Sequence, residues 1–168
     1  MVTRRFAFWA GASTLAMMIA SVIGDRMFAA QPPATTETFE VTHSDAEWRD
    51  LLTQAQYGVL RLQGTERPFS SPLDHEHRAG TFTCTGCDLP LFSSTAKYDS
   101  GTGWPSFWQP LDNAVGTSDD TFLAMKRTEV HCRRCGGHLG HVFNDGPPPT
   151  GLRYCMNGVA LTFRAADA

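Results

Sequence analysis

At 168 residues, with 42% hydrophobic and 18% charged side chains, the chain has apolar material for one domain with a real core and not for two. The formal charge is −3, and residues 1–30 carry Arg4, Arg5 and Arg26 against Asp25, a net +2, so the remainder stands at −3 − 2 = −5, which excludes a basic nucleic-acid surface. Fifteen glycines and ten prolines favour a mainly β architecture over a helical bundle.

Residues 1–30 read as an export signal. Thr3-Arg4-Arg5-Phe6-Ala7-Phe8 resembles a twin-arginine motif, an uncharged stretch runs from Phe6 to Gly24, and Ala29-Ala30 offers a cleavage site into an exported, periplasmic setting. Left uncleaved, the same stretch is at the lower edge of a membrane span, and only then would the protein contact a membrane. Residues 31–43 form a Pro/Thr linker, and 44–168 the domain. Ser44-Asp45-Ala46-Glu47 and Thr53-Gln54-Ala55-Gln56 each fit a capping box ahead of apolar residues, predicting two short helices, the second ended by Gly64. His75-Glu76-His77 reads as solvated surface, because ligands two apart suit no helix face.

From Gly80 onward the pattern changes to short strands between turns: 81–83, 91–92, 122–125, 129–131, 142–143 and 159–163. The run Gly101 to Trp108, broken by Gly and Pro, predicts a loop presenting rings, with Trp104 as a pocket wall or a core residue.

Four of the five cysteines fall into two identically spaced pairs, Cys84/Cys87 and Cys132/Cys135. Four thiolates on two such knuckles make the tetrahedral sulfur set that zinc prefers, each knuckle having a glycine near its turn, Gly86 and Gly136. The alternatives are two redox dithiols or two disulfides. A thioredoxin-type pair needs a βαβ context, and a two-residue spacing is poor for a disulfide within the pair. With 44 residues between Cys87 and Cys132, the metal would staple two distant parts of one domain.

Cys155 is the cysteine left over. In a strand from Arg153 to Asn157 the period of two puts Arg153, Cys155 and Asn157 on one face, so a cation and an amide flank the sulfur. The rigid turn of Asn144, Asp145, Gly146 and three prolines could fold His138, His141 and Phe143 back opposite that strand. The bland alternative is a small buried apolar cysteine.

These residues together resemble one family, the methionine-R-sulfoxide reductases of the B type. The resemblance covers about residues 44–163 and rests on R-P-F-S-S-P at 67–72, the two C-x-x-C pairs, S-G-T-G-W-P-S-F at 100–107, R-T-E-V at 127–130, G-H-L-G-H-V-F-N-D-G-P at 137–147 and R-Y-C-M-N at 153–157. It implies two antiparallel sheets stapled by a structural zinc site of four cysteines, behind short N-terminal helices. It also implies a Cys155 nucleophile with His138, His141 and Asn157 around it, and Trp104 and Phe143 as an apolar cage for the substrate methyl. Oxidised proteins would be the substrates. Attack on a sulfoxide sulfur needs an acid at its oxygen, for which His141 is the first choice, and Arg153 would favour the thiolate. Two positions depart from the family pattern. Thr102 stands where many members carry a resolving cysteine, so a sulfenic acid at Cys155 would be recycled by an external, thioredoxin-like or other thiol, and Gly158 replaces a small hydroxyl residue. The rival reading is a zinc-stapled binding or chaperone module on the same fold.

Overall fold

Both capping boxes form. Ser44 accepts from the Glu47 amide while the Glu47 carboxylate accepts from the Ser44 amide at 2.8 Å, starting α1 (Asp45–Leu51); Thr53 and Gln56 do the same for α2 (Gln54–Leu60). α2 stops at Leu60, short of Gly64, whose amide turns back to the Gly58 carbonyl at 2.9 Å. The computed structural model describes residues 37–121 and 126–167. The export segment, the first part of the linker and the expected strand 122–125 are therefore outside the described residues. Of the linker, Val41 donates to the Arg134 carbonyl at 3.0 Å and Phe39 meets His131 edge to face. No helix among the described residues is long and apolar enough to cross a membrane.

The strands are β1 (Gly80–Cys84), β2 (Pro90–Ser93), β3 (Lys97–Tyr98), β4 (Ser106–Phe107), β5 (Val115–Asp120), β6 (Arg127–Cys132), β7 (His138–Phe143), β8 (Arg153–Met156) and β9 (Leu161–Ala165). They make two antiparallel sheets, β2-β1-β9 and β3-β4-β8-β7-β6-β5, as the family resemblance implies. The expected loop 101–108 contains β4, in which Ser106 faces one side and Phe107 the other. Phe107, fully buried, stacks on Phe92 at 4.3 Å and meets Phe82 edge to face at 5.0 Å, which joins the sheets through one aromatic cluster. Each such buried ring contributes roughly 1.5–3 kcal/mol. The polar edge strand β5, with the sequence V-G-T-S-D-D, has no apolar alternation and is defined only by its pairing with β6.

The two cysteine knuckles are backbone copies. Asp88 and Gly136 donate to the carbonyls of Cys84 and Cys132, each at 2.8 Å, and the amides of Cys84 and Cys132 donate to Leu89 and Gly137, each at 2.9 Å. The left-handed position is therefore Asp88 (φ +59°) in the first and Gly136 (φ +67°) in the second, so Gly86 is not the counterpart of Gly136. The first knuckle leaves β1 and the second leaves β6, so the cluster joins the small sheet to the large one.

Candidate functional site

β8 lies between β4 and β7, and the register aligns side chains straight across the large sheet. Ser106 pairs with Cys155, Cys155 with His141, His141 with Glu129 and Glu129 with Ser118. Partners directly opposite hold their Cβ atoms about 5 Å apart, so this polar row crosses five strands on one face. Phe143 pairs with Arg153 further along that face. The alternate residues Phe107, Val130 and Met156 are fully buried in the core behind it.

A cavity of about 140 Å³ opens on the row, lined by Thr65, Trp104, Arg127, Gly140, His141, Phe143, Cys155 and Asn157. Five of the residues expected from the sequence thus meet in one pocket: Cys155, His141, Asn157, Trp104 and Phe143. The Trp104 indole N–H donates to the Glu66 carbonyl at 3.2 Å, which fixes the ring as a wall. Asn157 follows the last residue of β8 and is clamped by both ends of its amide: Oδ1 accepts from the Glu66 N–H at 2.9 Å, and Nδ2 donates to the Leu139 carbonyl at 3.1 Å. Gly140 must be glycine, because a Cβ there would run into the Cys155 carbonyl.

Two expected residues stand outside this cavity. His138 is not opposite the Cys155 strand; it pairs with His131 beyond a bulge in β7, where Leu139 is the extra residue between the pairs His131/His138 and Val130/Gly140. The bulge has a chemical consequence. Residues three apart on a regular strand point to opposite faces, whereas here the His138 and His141 rings meet at 5.3 Å. His138 Nδ1 bonds Glu129 at 2.7 Å and lines an adjoining groove of about 570 Å³ that shares His141 and Arg127 with the pocket. Arg153, the second, points to the hairpin turn: its guanidinium makes a two-pronged pair with Asp145 at 2.9 Å and lies 4.4 Å over the Phe143 ring, so it secures the cage wall as well as placing a cation near the sulfur.

Burial pushes the Cys155 thiol up, opposed first by the Thr102 hydroxyl, 3.9 Å from Sγ, and then by Arg153. The imidazole of His141 is lowered by burial, while its bond from Nε2 to Asp120, at 2.8 Å, works the other way. Both shifts favour the uncharged forms, with a proton on the sulfur and a neutral imidazole.

The sequence reading missed Thr65, Arg127, Glu129, Asp120 and Glu66. Arg127 and Glu129 carried a signal, since they alternate with Thr128 and Val130 and so share a strand face. Glu66 had none: its carboxylate accepts from the Gly158 and Val159 amides, a contact across more than ninety residues. The Gly158 departure is accommodated by Ser71, whose side chain fills the space a Cβ at 158 would need.

The sulfurs of Cys84, Cys87, Cys132 and Cys135 lie within 4.8 Å of one another, with Cys84–Cys135 at 3.7 Å and Cys87–Cys132 at 3.5 Å. A disulfide needs about 2 Å. A tetrahedron of sulfurs about 2.3 Å from a central zinc has edges of about 3.8 Å, so the donor set fits a metal ion. Packed against Cys132 and then Cys135 and Cys87, the buried Cys84 thiol is pushed far up, a penalty that a divalent cation at the centre removes. None of the four lines the pocket.

A half-buried thiol facing an imidazole in a part-apolar pocket is the arrangement of a thiol-dependent enzyme. The SelR domain model matches residues 52–165, and the chain belongs to that family. It is 58% identical over 122 residues to the peptide methionine sulfoxide reductase MsrB of Pseudomonas putida strain W619, covering 72% of this chain and 92% of the relative. Against the MsrB of Bradyrhizobium diazoefficiens the identity is 55% over 133 residues, 77% of this chain and 96% of the relative.

Proposed function

We propose that this protein reduces the R epimer of methionine sulfoxide in oxidised proteins to methionine, with Cys155 as nucleophile. The observation that carries the reading is Cys155 directly opposite His141 in a pocket walled by Trp104 and Phe143. The Cys155 sulfur attacks the sulfoxide sulfur while the thiol proton is passed by His141 to the sulfoxide oxygen; the protonated oxygen then transfers to the Cys155 sulfur, which breaks the transient S–S bond together with the original S–O bond and frees the thioether. Cys155–SH and the sulfoxide become Cys155–SOH and the thioether, with no proton drawn from outside. Asn157, held at both ends, orients the polar side of the pocket, and His138 with Glu129 supports His141 from the adjoining groove. A first external thiol displaces water from the sulfenic acid to form a mixed disulfide; a second releases Cys155–SH and a disulfide. A thioredoxin-like donor fits this step, because all four other cysteines belong to one cluster.

Zinc is the metal that suits four thiolates in this geometry, and when bound it supplies a cross-link between the sheets. Residues 1–30, with Arg4 and Arg5 ahead of an uncharged run, support export as a folded protein to the periplasm. The rival binding module gives no reason for a thiol, an imidazole and two aromatic rings to converge on one cavity.

The test is Cys155→Ser against His141→Ala with both epimers of a methionine sulfoxide peptide. Cys155→Ser should lose turnover while retaining metal, and His141→Ala should lose roughly 10²–10⁴-fold in kcat with little change in KM. Turnover by Cys155→Ser would overturn the mechanism.

A further inference from the structure

Three hydroxyls connect the Cys155 sulfur to a backbone carbonyl, and none of them is used by the mechanism above. Thr102 Oγ1 is 3.9 Å from Cys155 Sγ, Ser100 Oγ is 2.8 Å from Thr102 Oγ1, Ser106 Oγ is 2.7 Å from Ser100 Oγ, and Ser106 donates to the Trp104 carbonyl at 3.0 Å. Ser106 is fully buried, and Ser100 and Thr102 are half-buried.

Proton accounting gives this chain a direction. A carbonyl only accepts, so the Ser106 proton goes to Trp104 and the Ser106 oxygen must accept from Ser100. The Ser100 proton is thereby committed, so Thr102 donates to Ser100. The Thr102 oxygen is then left facing sulfur as an acceptor, which suits the S–H form. Ser100 has a second donor in reserve, the Thr102 backbone N–H at 3.4 Å.

We propose that Thr102 is a two-position donor and that Ser100 is the positioning residue that decides its direction. With Cys155 as the thiol, Thr102 donates to Ser100; once the proton has left the sulfur, the hydroxyl rotates to donate to the thiolate, and Ser100 keeps the backbone N–H. Ser100 thus competes with the thiolate for one proton. It holds the nucleophile protonated until substrate draws that proton away. The charged and titratable groups facing this sulfur are Arg153 on its own strand, Asp145 in the turn, His141 on β7 and Tyr98 on β3, and Arg127 lines the same pocket. None of them contacts Ser100 within this chain of bonds.

The inference deepens the reading of Cys155 as the nucleophile and rests on it, but its test needs no turnover. The rate at which iodoacetamide alkylates Cys155 in the metal-loaded protein, followed by the mass of the peptide containing it, reports the thiolate as a function of pH. Thr102→Val, which removes the donor, should raise the midpoint by about one pH unit, the value of a hydrogen bond to a charged group. Ser100→Ala should lower it by about half a unit to one unit, because only the thiol form loses a bond. Thr102→Ser and Ser100→Thr, which keep the hydroxyls, should match wild type and so separate the loss of a hydroxyl from distortion of the loop. The double variant Ser100→Ala/Thr102→Val should titrate like Thr102→Val alone, since Ser100 acts only through Thr102. A midpoint that rises or stays put in Ser100→Ala, or a double variant distinct from Thr102→Val, would overturn the proposal.

Discussion

Replacing Thr102 by Cys should let this enzyme close its own disulfide, where the proposed cycle of the wild type uses an external thiol. The hydroxyl of Thr102 is 3.9 Å from Cys155 Sγ, and a disulfide bond is about 2 Å long, so closure requires about 1.9 Å of approach. Rotation about χ1 of two side chains supplies that, with residue 102 in a loop free of sheet pairing. The positions are 53 apart in sequence. For a closed loop of that size the chain-entropy relation gives about 2.1 + 1.5R ln 53 ≈ 14 cal/mol/K, or about 4 kcal/mol at 25 °C. If strain removes half, the oxidised variant should still melt on the order of 5–10 °C above its reduced form. The assay is a single turnover with a methionine sulfoxide peptide, followed by thiol counting, intact mass and a melting curve with and without reductant. The variant should lose two thiols and about two mass units on closing a disulfide between residue 102 and Cys155, and should accept electrons from a thioredoxin-like donor more efficiently than wild type. A sulfenic acid that persists in Thr102→Cys would refute the geometry. An intramolecular disulfide in wild type after turnover would refute the assignment of all four paired cysteines to the metal.

Each molecule should carry about one zinc by metal analysis, and replacing Cys84, Cys87, Cys132 or Cys135 by Ser should release it and unfold the domain, because an ion held by these four sulfurs would cross-link the two sheets; a metal-free variant of unchanged melting temperature would contradict this. Arg4→Lys with Arg5→Lys should trap the protein inside the cell by fractionation, since four metal-binding thiolates favour folding before crossing to an oxidising compartment, and continued export would point to a general secretory signal. The hydrogen bond from His138, and then that from Ser118, hold the Glu129 carboxyl down at about 2. Its folded value is thus below the unfolded value near 4.5, so its contribution is fully present above pH 4.5 and is lost as pH falls towards 2. Glu129→Gln should cost roughly 1–3 kcal/mol at pH 7 and little at pH 2 in thermal melts; an equal loss at both would show that the interaction is not ionic.

What could be read along the chain was whatever neighbours in sequence decide. A capping box closes over four residues, a C-x-x-C knuckle over five, and the alternation that puts Cys155 beside Arg153 is a property of a single strand, so Ser44, Thr53, the paired cysteines and the face of β8 needed no distant partner. Even within the knuckles, which residue takes the left-handed position, Asp88 in one and Gly136 in the other, depended on which carbonyl the turn closes on. The rest was decided by contacts between distant segments. The row Ser106–Cys155–His141–Glu129 exists only because four strands align in register, and one extra residue at Leu139 determines whether His138 joins His141 on that face. β4 and β5 are too short or too polar to announce themselves and become strands by pairing with β8 and β6. Glu66, in a loop, ties Trp104 and Asn157 together through its backbone and Gly158 and Val159 through its carboxylate; the backbone bonds could be made by any residue, and the carboxylate's partners are amides more than ninety residues away, so neither leaves a mark in the local sequence.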